Sequence, residues 1–91
     1  MYSKRAVIVN KTGLHARPAS VLTMKAMEYK SFIAIKNLDN EKEKLINAKS
    51  IMKILAASIT VGTNIEISAE GEDERTAVEE LVKLVESGFA K

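Results

Sequence analysis

Apolar and polar positions along the chain fall into blocks of two kinds, some with a period near two residues and some with a period between three and four. The cleanest alternation is Asn64 to Glu70. There Ile65, Ile67 and Ala69 share one face and Glu66, Ser68 and Glu70 the other, which predicts a half-buried strand. A first strand is expected over about Ser3 to Asn10, because Val and Ile suit a pleated surface, although four consecutive apolar residues leave its inward face undecided. Phe32 to Lys36 reads as a second strand and Leu45 to Asn47 as a short third. The polar, turn-prone stretch between them, 37–44, predicts a hairpin loop.

Three other stretches have the helical period. Ala19, Leu22, Ala26 and Tyr29 recur at spacings of three and four, predicting a helix from about Ala16 to Lys30 with Val21 and Met24 widening or flanking its apolar stripe. Met24 and Met27 are assigned to packing rather than to chemistry. Ser50 stands in an N-cap position before Ile51 to Ala57, a short second helix. Val78, Leu81, Val82 and Val85 predict a last helix from about Glu72 to Ser87. Its first turn is acidic, which complements the helix dipole, and Gly88 stands where a glycine cap is expected.

Composition narrows the class. Ninety-one residues make one domain, 1–91, that buries somewhat over ~60% of its unfolded surface, enough for one thin core. Hydrophobic residues at 46% and charged ones at 29% describe an ordinary globular chain. With no cysteine and one histidine there is no disulfide framework, thiolate site or histidine cluster, so neither metal nor cofactor is expected. No apolar run approaches the ~20 residues of a membrane span, and the N-terminus has no signal-peptide core; the cytoplasm is the default compartment. A net charge of +2, and aromatic residues not interleaved with basic ones, argue against nucleic acid as partner. Acids cluster between Glu70 and Glu80, whereas Lys4, Arg5, Lys11, Arg17 and Lys25 are expected to surround the single histidine.

That histidine lies in Gly13-Leu14-His15-Ala16-Arg17-Pro18-Ala19-Ser20, at the junction of the first strand and the first helix. The first N–H groups of a helix have no intrahelical acceptor and carry partial positive charge, which makes the junction an anion site. Pro18 suits a first helical turn, where its missing N–H costs nothing. Neutral imidazole is a good nucleophile, and its ordinary pKa of about 6.5 leaves it mostly neutral at pH 7. The Arg17 guanidinium offers a donor fork that matches phosphate oxygens. Together these residues suggest a reversible phosphoryl acceptor at His15, with Arg17 and the amides of Ala16 and Arg17 as phosphate binders. A capping or surface histidine beside a solvated arginine remains open from the residues alone.

Asn10-Lys11-Thr12-Gly13-Leu14-His15-Ala16-Arg17-Pro18-Ala19 resembles the active-site signature of the HPr family, the histidine-containing phosphocarriers of the bacterial phosphoenolpyruvate-dependent sugar phosphotransferase system, and Lys49-Ser50-Ile51-Met52 is similar to the regulatory segment of the Gram-positive form. The resemblance implies an α+β fold, an open-faced β-sandwich of order βαββαβα. Its four-stranded antiparallel sheet has strand order 1-4-2-3, with three helices on one face. It also implies that Nδ1 of His15 accepts a phosphoryl group from enzyme I and donates it to sugar-specific enzyme IIA domains. The chain would then be a carrier, not an enzyme. Further implications are Ser50 as a regulatory phosphorylation site for an HPr kinase/phosphorylase and Ile51, Met52 and Leu55 as a partner-docking patch. The plain alternatives are an N-cap for Ser50 and core packing for Ile51 and Leu55.

Against the family pattern, the hairpin loop is a few residues longer than usual, Lys53 stands where Gram-positive relatives usually have a glycine, and Ser58 replaces a glycine expected near the end of the second helix. A second reading makes the chain a regulatory protein that signals through Ser50 to a catabolite-repression transcription factor. A third makes it a small α/β binding module. A monomer is the expected state, without membrane insertion.

Overall fold

The computed structural model describes residues 1–40 and 45–89. Its elements are β1 (Tyr2–Val7), α1 (Ala16–Ala26), β2 (Phe32–Asn37), β3 (Ile46–Asn47), α2 (Ile51–Ala56), β4 (Asn64–Glu70) and α3 (Glu74–Glu86). The four strands form one antiparallel sheet in the order β1-β4-β2-β3. The fold class and strand order that the family resemblance implied are therefore correct.

β4 occupies the centre, and its alternation decides the layering. Ile65, Ile67 and Ala69 are buried, and in register they lie beside Ala6, Lys4 and Tyr2 on one side and Asn37, Ile35 and Ile33 on the other. This face receives Ala19, Leu22 and Ala26 of α1, Ile54 of α2, and Ala77, Val78, Leu81 and Val85 of α3. Fully burying an aliphatic side chain of this size contributes about 1.5–3 kcal/mol. On the opposite, open face the register aligns Arg5, Glu66 and Lys36 across three strands, a favourable alternation of charge.

Several boundaries differ from expectation. β1 stops at Val7, because Ile8 turns to the connection ahead of β4: its N–H donates to Thr63 O at 3.0 Å, and its carbonyl accepts from Gly62 at 2.7 Å. α1 ends at Ala26 instead of Lys30, leaving Tyr29 partly buried beyond the helix. Met24 and Met27 do not pack; they are 67% and 65% exposed. α3 begins at Glu74, with Asp73 at its N-cap. The expected hairpin loop falls partly on 41–44, outside the described residues.

Candidate phosphoryl-acceptor site

The loop between β1 and α1 is fixed from both sides before it delivers His15. Asn10 closes a turn, accepting the Gly13 N–H at 3.0 Å, while its Nδ2 donates to Gly13 O at 2.7 Å and to Thr12 Oγ1 at 3.2 Å. Gly13 has φ +64°, and a Cβ there would lie 2.5 Å from Ile59 O and 2.8 Å from Thr60 Cα, so only glycine fits. Leu14 is buried, and its N–H donates to Ile59 O at 2.9 Å. The backbone on either side of the turn is thus tied to 59–63.

His15 then takes the N-cap position of α1 in an extended conformation, with its carbonyl accepting the Ala19 N–H at 2.8 Å. Its exposed imidazole makes no capping hydrogen bond and is free to react. The N–H groups of Ala16 and Arg17 have no acceptor among the described residues, and Pro18 contributes no donor, so two amides stand open at the positive end of the helix dipole. The exposed Arg17 guanidinium likewise has no partner among the described residues.

The basic cluster expected around His15 is smaller than the sequence suggests. Lys4 pairs with Glu79 of α3 at 3.8 Å, and Arg5 stands on the open face of the sheet beside Glu66. Lys25 lies ten residues along from His15, about 15 Å at the helical rise. It sits 5.8 Å from the Tyr29 ring and 3.4 Å from Glu28. Its pKa is raised, first by Tyr29 and then, against some desolvation, by Glu28. Of the five, Arg17 is the one that lines the same cleft as His15.

His15, Ala16 and Arg17 line an open cleft of about 890 Å³ together with Asn10, Thr12, Pro18 and Val21, and the end of α3 supplies its other wall through Leu84, Gly88 and Phe89. The residues that carry the imidazole, the two amides without an acceptor among the described residues and the guanidinium all line one open cleft. Such an arrangement can accept, hold and release a small dianion.

Comparison with known proteins agrees with this geometry. Residues 2–87 match the family model described as the PTS HPr component phosphorylation site. The chain belongs to the HPr family of phosphocarriers. It is 47% identical to phosphocarrier protein HPr of Mycoplasma capricolum over 74 residues, 81% of this chain and 79% of that protein. It is 38% identical over 85 residues to the multiphosphoryl transfer protein of Haemophilus influenzae, covering 93% of this chain but only 17% of that longer protein. The crystal structure of HPr-C-His from Thermoanaerobacter tengcongensis superposes with a TM-score of 0.90 at 41% identity, covering all of this chain and 98% of the other.

Within this HPr fold the second group of candidate residues lies apart from the cleft lining, on α2, which packs against α1. Ser50 is the N-cap, its Oγ accepting the Lys53 N–H at 3.4 Å. Of the three residues assigned to docking, Met52 is 73% exposed, while Ile51 and Leu55 are half-buried against the core. Exposed Met24 of α1 and Met27 at its C-cap add apolar surface that the sequence reading had assigned to packing. Sequence reasoning gave no role to Asn10 or Thr12, although both stand in the signature. It also overlooked Phe89, whose signal was an aromatic residue directly after a glycine helix cap. Among the described residues no cluster of potential metal ligands occurs, and no helix is long and apolar enough to cross a membrane.

Proposed function

We propose that this chain acts as a single HPr-like unit over 1–91 that carries a phosphoryl group on His15, taking it from enzyme I and passing it to enzyme IIA domains. The observation that supports this most is the free imidazole at the α1 N-cap, beside two unpaired amides and an unpaired arginine. A ring-nitrogen lone pair forms the bond to phosphorus as the bond to the donor atom of enzyme I breaks. The oxygens of the bound group gain the Ala16 and Arg17 N–H groups and the Arg17 fork. Each exposed charge–dipole interaction is worth only about 0.3–1 kcal/mol, which holds the group without trapping it. The open cleft lets the acceptor on the next protein approach from solvent.

The test is an intact-mass assay with enzyme I and phosphoenolpyruvate on the wild type and on His15→Ala, with an acid-treated aliquot of each. A single phosphoryl gain that needs His15 and vanishes in acid is the expected result. Phosphate uptake by His15→Ala, or none by the wild type with a competent enzyme I, rejects the assignment.

A second reading is favoured by the N-cap geometry of Ser50. A phosphate on its Oγ would meet the first-turn amides of α2 and place negative charge beside exposed Met52, without unfolding the helix. On this reading an HPr kinase/phosphorylase modifies Ser50, and the patch of Ile51, Met52 and Leu55 exchanges enzyme I for a catabolite-control transcription factor.

A further inference from the structure

The end of α3 is built more elaborately than a helix stop requires. Gly88, at φ +70°, donates its N–H to Val85 O, and Phe89 donates to Leu84 O, both at 3.0 Å. These paired bonds are a Schellman turn, in which the residue after the glycine meets the side chain five to six residues back. Phe89 and Leu84 are accordingly both partly buried, and both line the His15 cleft. Phe89 itself has φ +66°, in the left-handed region that disfavours a residue with a Cβ. The turn lies beside the loop that leads to His15: a Cβ on Gly88 would be in ordinary contact with Val9 Cγ2 at 3.7 Å and Asn10 Cβ at 3.8 Å.

We propose that Phe89 is a positioning residue of the carrier site, an apolar wall that keeps water from a phosphoryl group on His15 and so sets how long the group survives between partners. This rests on the assignment of His15 as phosphoryl acceptor. The loss reaction is hydrolysis: a water oxygen bonds to phosphorus, the phosphorus–nitrogen bond breaks, and its electron pair returns to the ring nitrogen. The water gives up its proton, and inorganic phosphate leaves. The attacking water needs a hydrogen-bonding group to hold it; Asn10 and Thr12 put polar groups on the cleft lining, whereas the side chains of Phe89, Leu84, Val21 and Pro18 offer none. The Schellman bonds, with Ser87 Oγ donating to Leu84 O at 2.8 Å, already occupy the Leu84 and Val85 carbonyl oxygens. Arg17 and the α1 amides hold the group from the other side, leaving the solvent side to the next protein.

The experiment phosphorylates wild type, Phe89→Ala and Phe89→Leu with potassium phosphoramidate, which needs no partner protein, removes the reagent, and follows phosphate loss at neutral pH by intact mass. Melting temperatures are measured alongside. Phe89→Ala is expected to shorten the phosphohistidine lifetime by about threefold to tenfold, that is, to lower the hydrolysis barrier by about 0.7–1.4 kcal/mol. Phe89→Leu, which keeps an apolar contact with Leu84, should retain most of the lifetime. Equal lifetimes in Phe89→Ala and wild type overturn the proposal while leaving His15 as acceptor. So does a loss that tracks a falling melting temperature equally in both variants. A wild type that takes up no acid-labile phosphate on His15 removes the assignment beneath it, and both readings fall.

Discussion

Asp73 at the head of α3 holds Ser31 at the start of β2, across 42 residues of sequence: its carboxylate accepts the Ser31 N–H at 3.0 Å and the Ser31 hydroxyl, and also the Lys30 N–H at 2.8 Å. This clamp fixes the turn that follows α1. It also explains why Asp73, read from the sequence as a dipole partner for its own helix, makes no capping bond there.

The same clamp makes stability pH-dependent in a defined window. The Ser31 hydroxyl, followed by the Lys30 N–H, lowers the Asp73 pKa from 3.8 to about 2. A carboxylate with a depressed folded-state pKa binds protons more readily when unfolded, so its contribution is present above the unfolded value and is lost as pH falls through the folded one. The melting temperature should therefore fall between about pH 4 and pH 2. Asp73→Ala should melt several degrees lower at neutral pH, and its deficit should close as the solution reaches about pH 2. A deficit that stays constant down the acid limb shows that the carboxylate charge is not what the clamp uses.

Ser58 occupies the left-handed region at φ +51°, directly after the last turn of α2, and donates its N–H to Leu55 O at 3.2 Å. This is the position where the family resemblance called for glycine. Glycine adopts such a φ without the Cβ penalty of about 1–2 kcal/mol, but loses some of that gain through its freer unfolded chain. Ser58→Gly is expected to stabilise the protein by about 0.5–1 kcal/mol in denaturant melts and to leave phosphate uptake unchanged.

Gly13 is the reverse case. Alanine at this position must relieve both the positive φ and the 2.5 Å approach to the Ile59 carbonyl, which is backbone and cannot swing away. Positional strain and overpacking of this kind cost about 2–3 kcal/mol. Because the same contact seats the loop that carries His15, Gly13→Ala should also slow phosphorylation by enzyme I by more than the unfolded fraction accounts for. Rates measured well below the melting temperature separate the two effects.

Local patterns carried most of this fold because each element agrees with its own period. β4 was legible to the residue, since strict alternation of Ile65, Ile67 and Ala69 with polar neighbours admits one reading. Boundaries that depend on distant partners were not. α1 ends early where Asp73 holds the turn from the far end of the chain, and Ile8 leaves β1 because Gly62 and Thr63 offer it bonds. The candidate site was suggested by His15 and Arg17, which stand two residues apart in sequence. Phe89 reaches them only through packing of α3, and composition could not show that Lys4 was already committed to Glu79.

Arg17 should matter to transfer and little to folding. Its guanidinium is exposed and has no partner among the described residues, so Arg17→Ala is expected to leave the melting temperature within about 2 °C. A charge-assisted hydrogen bond to phosphate is worth about 1.5–3 kcal/mol, reduced here by solvent, so kcat/KM for enzyme I should fall about fivefold to thirtyfold. Arg17→Lys keeps the charge without the planar fork and should recover only part of the rate. Steady-state assays at two salt concentrations check this, since the defect should narrow as salt screens the wild-type advantage.

Ser50 separates a cap from a switch. Its Oγ accepts the Lys53 N–H, so Ser50→Ala removes an N-cap and should cost about 1 kcal/mol. Ser50→Asp keeps an acceptor at the cap and favours the helix dipole, so the fold should hold while a negative charge enters beside Met52. If docking uses this surface, Ser50→Asp weakens enzyme I binding severalfold in titration calorimetry with an unchanged melting temperature, and Met52→Glu, at an exposed position with no cap to lose, does the same. Ser50→Ala should give the opposite pairing, a lower melting temperature with binding intact. Binding that follows stability through all three variants marks Ser50 as a cap alone.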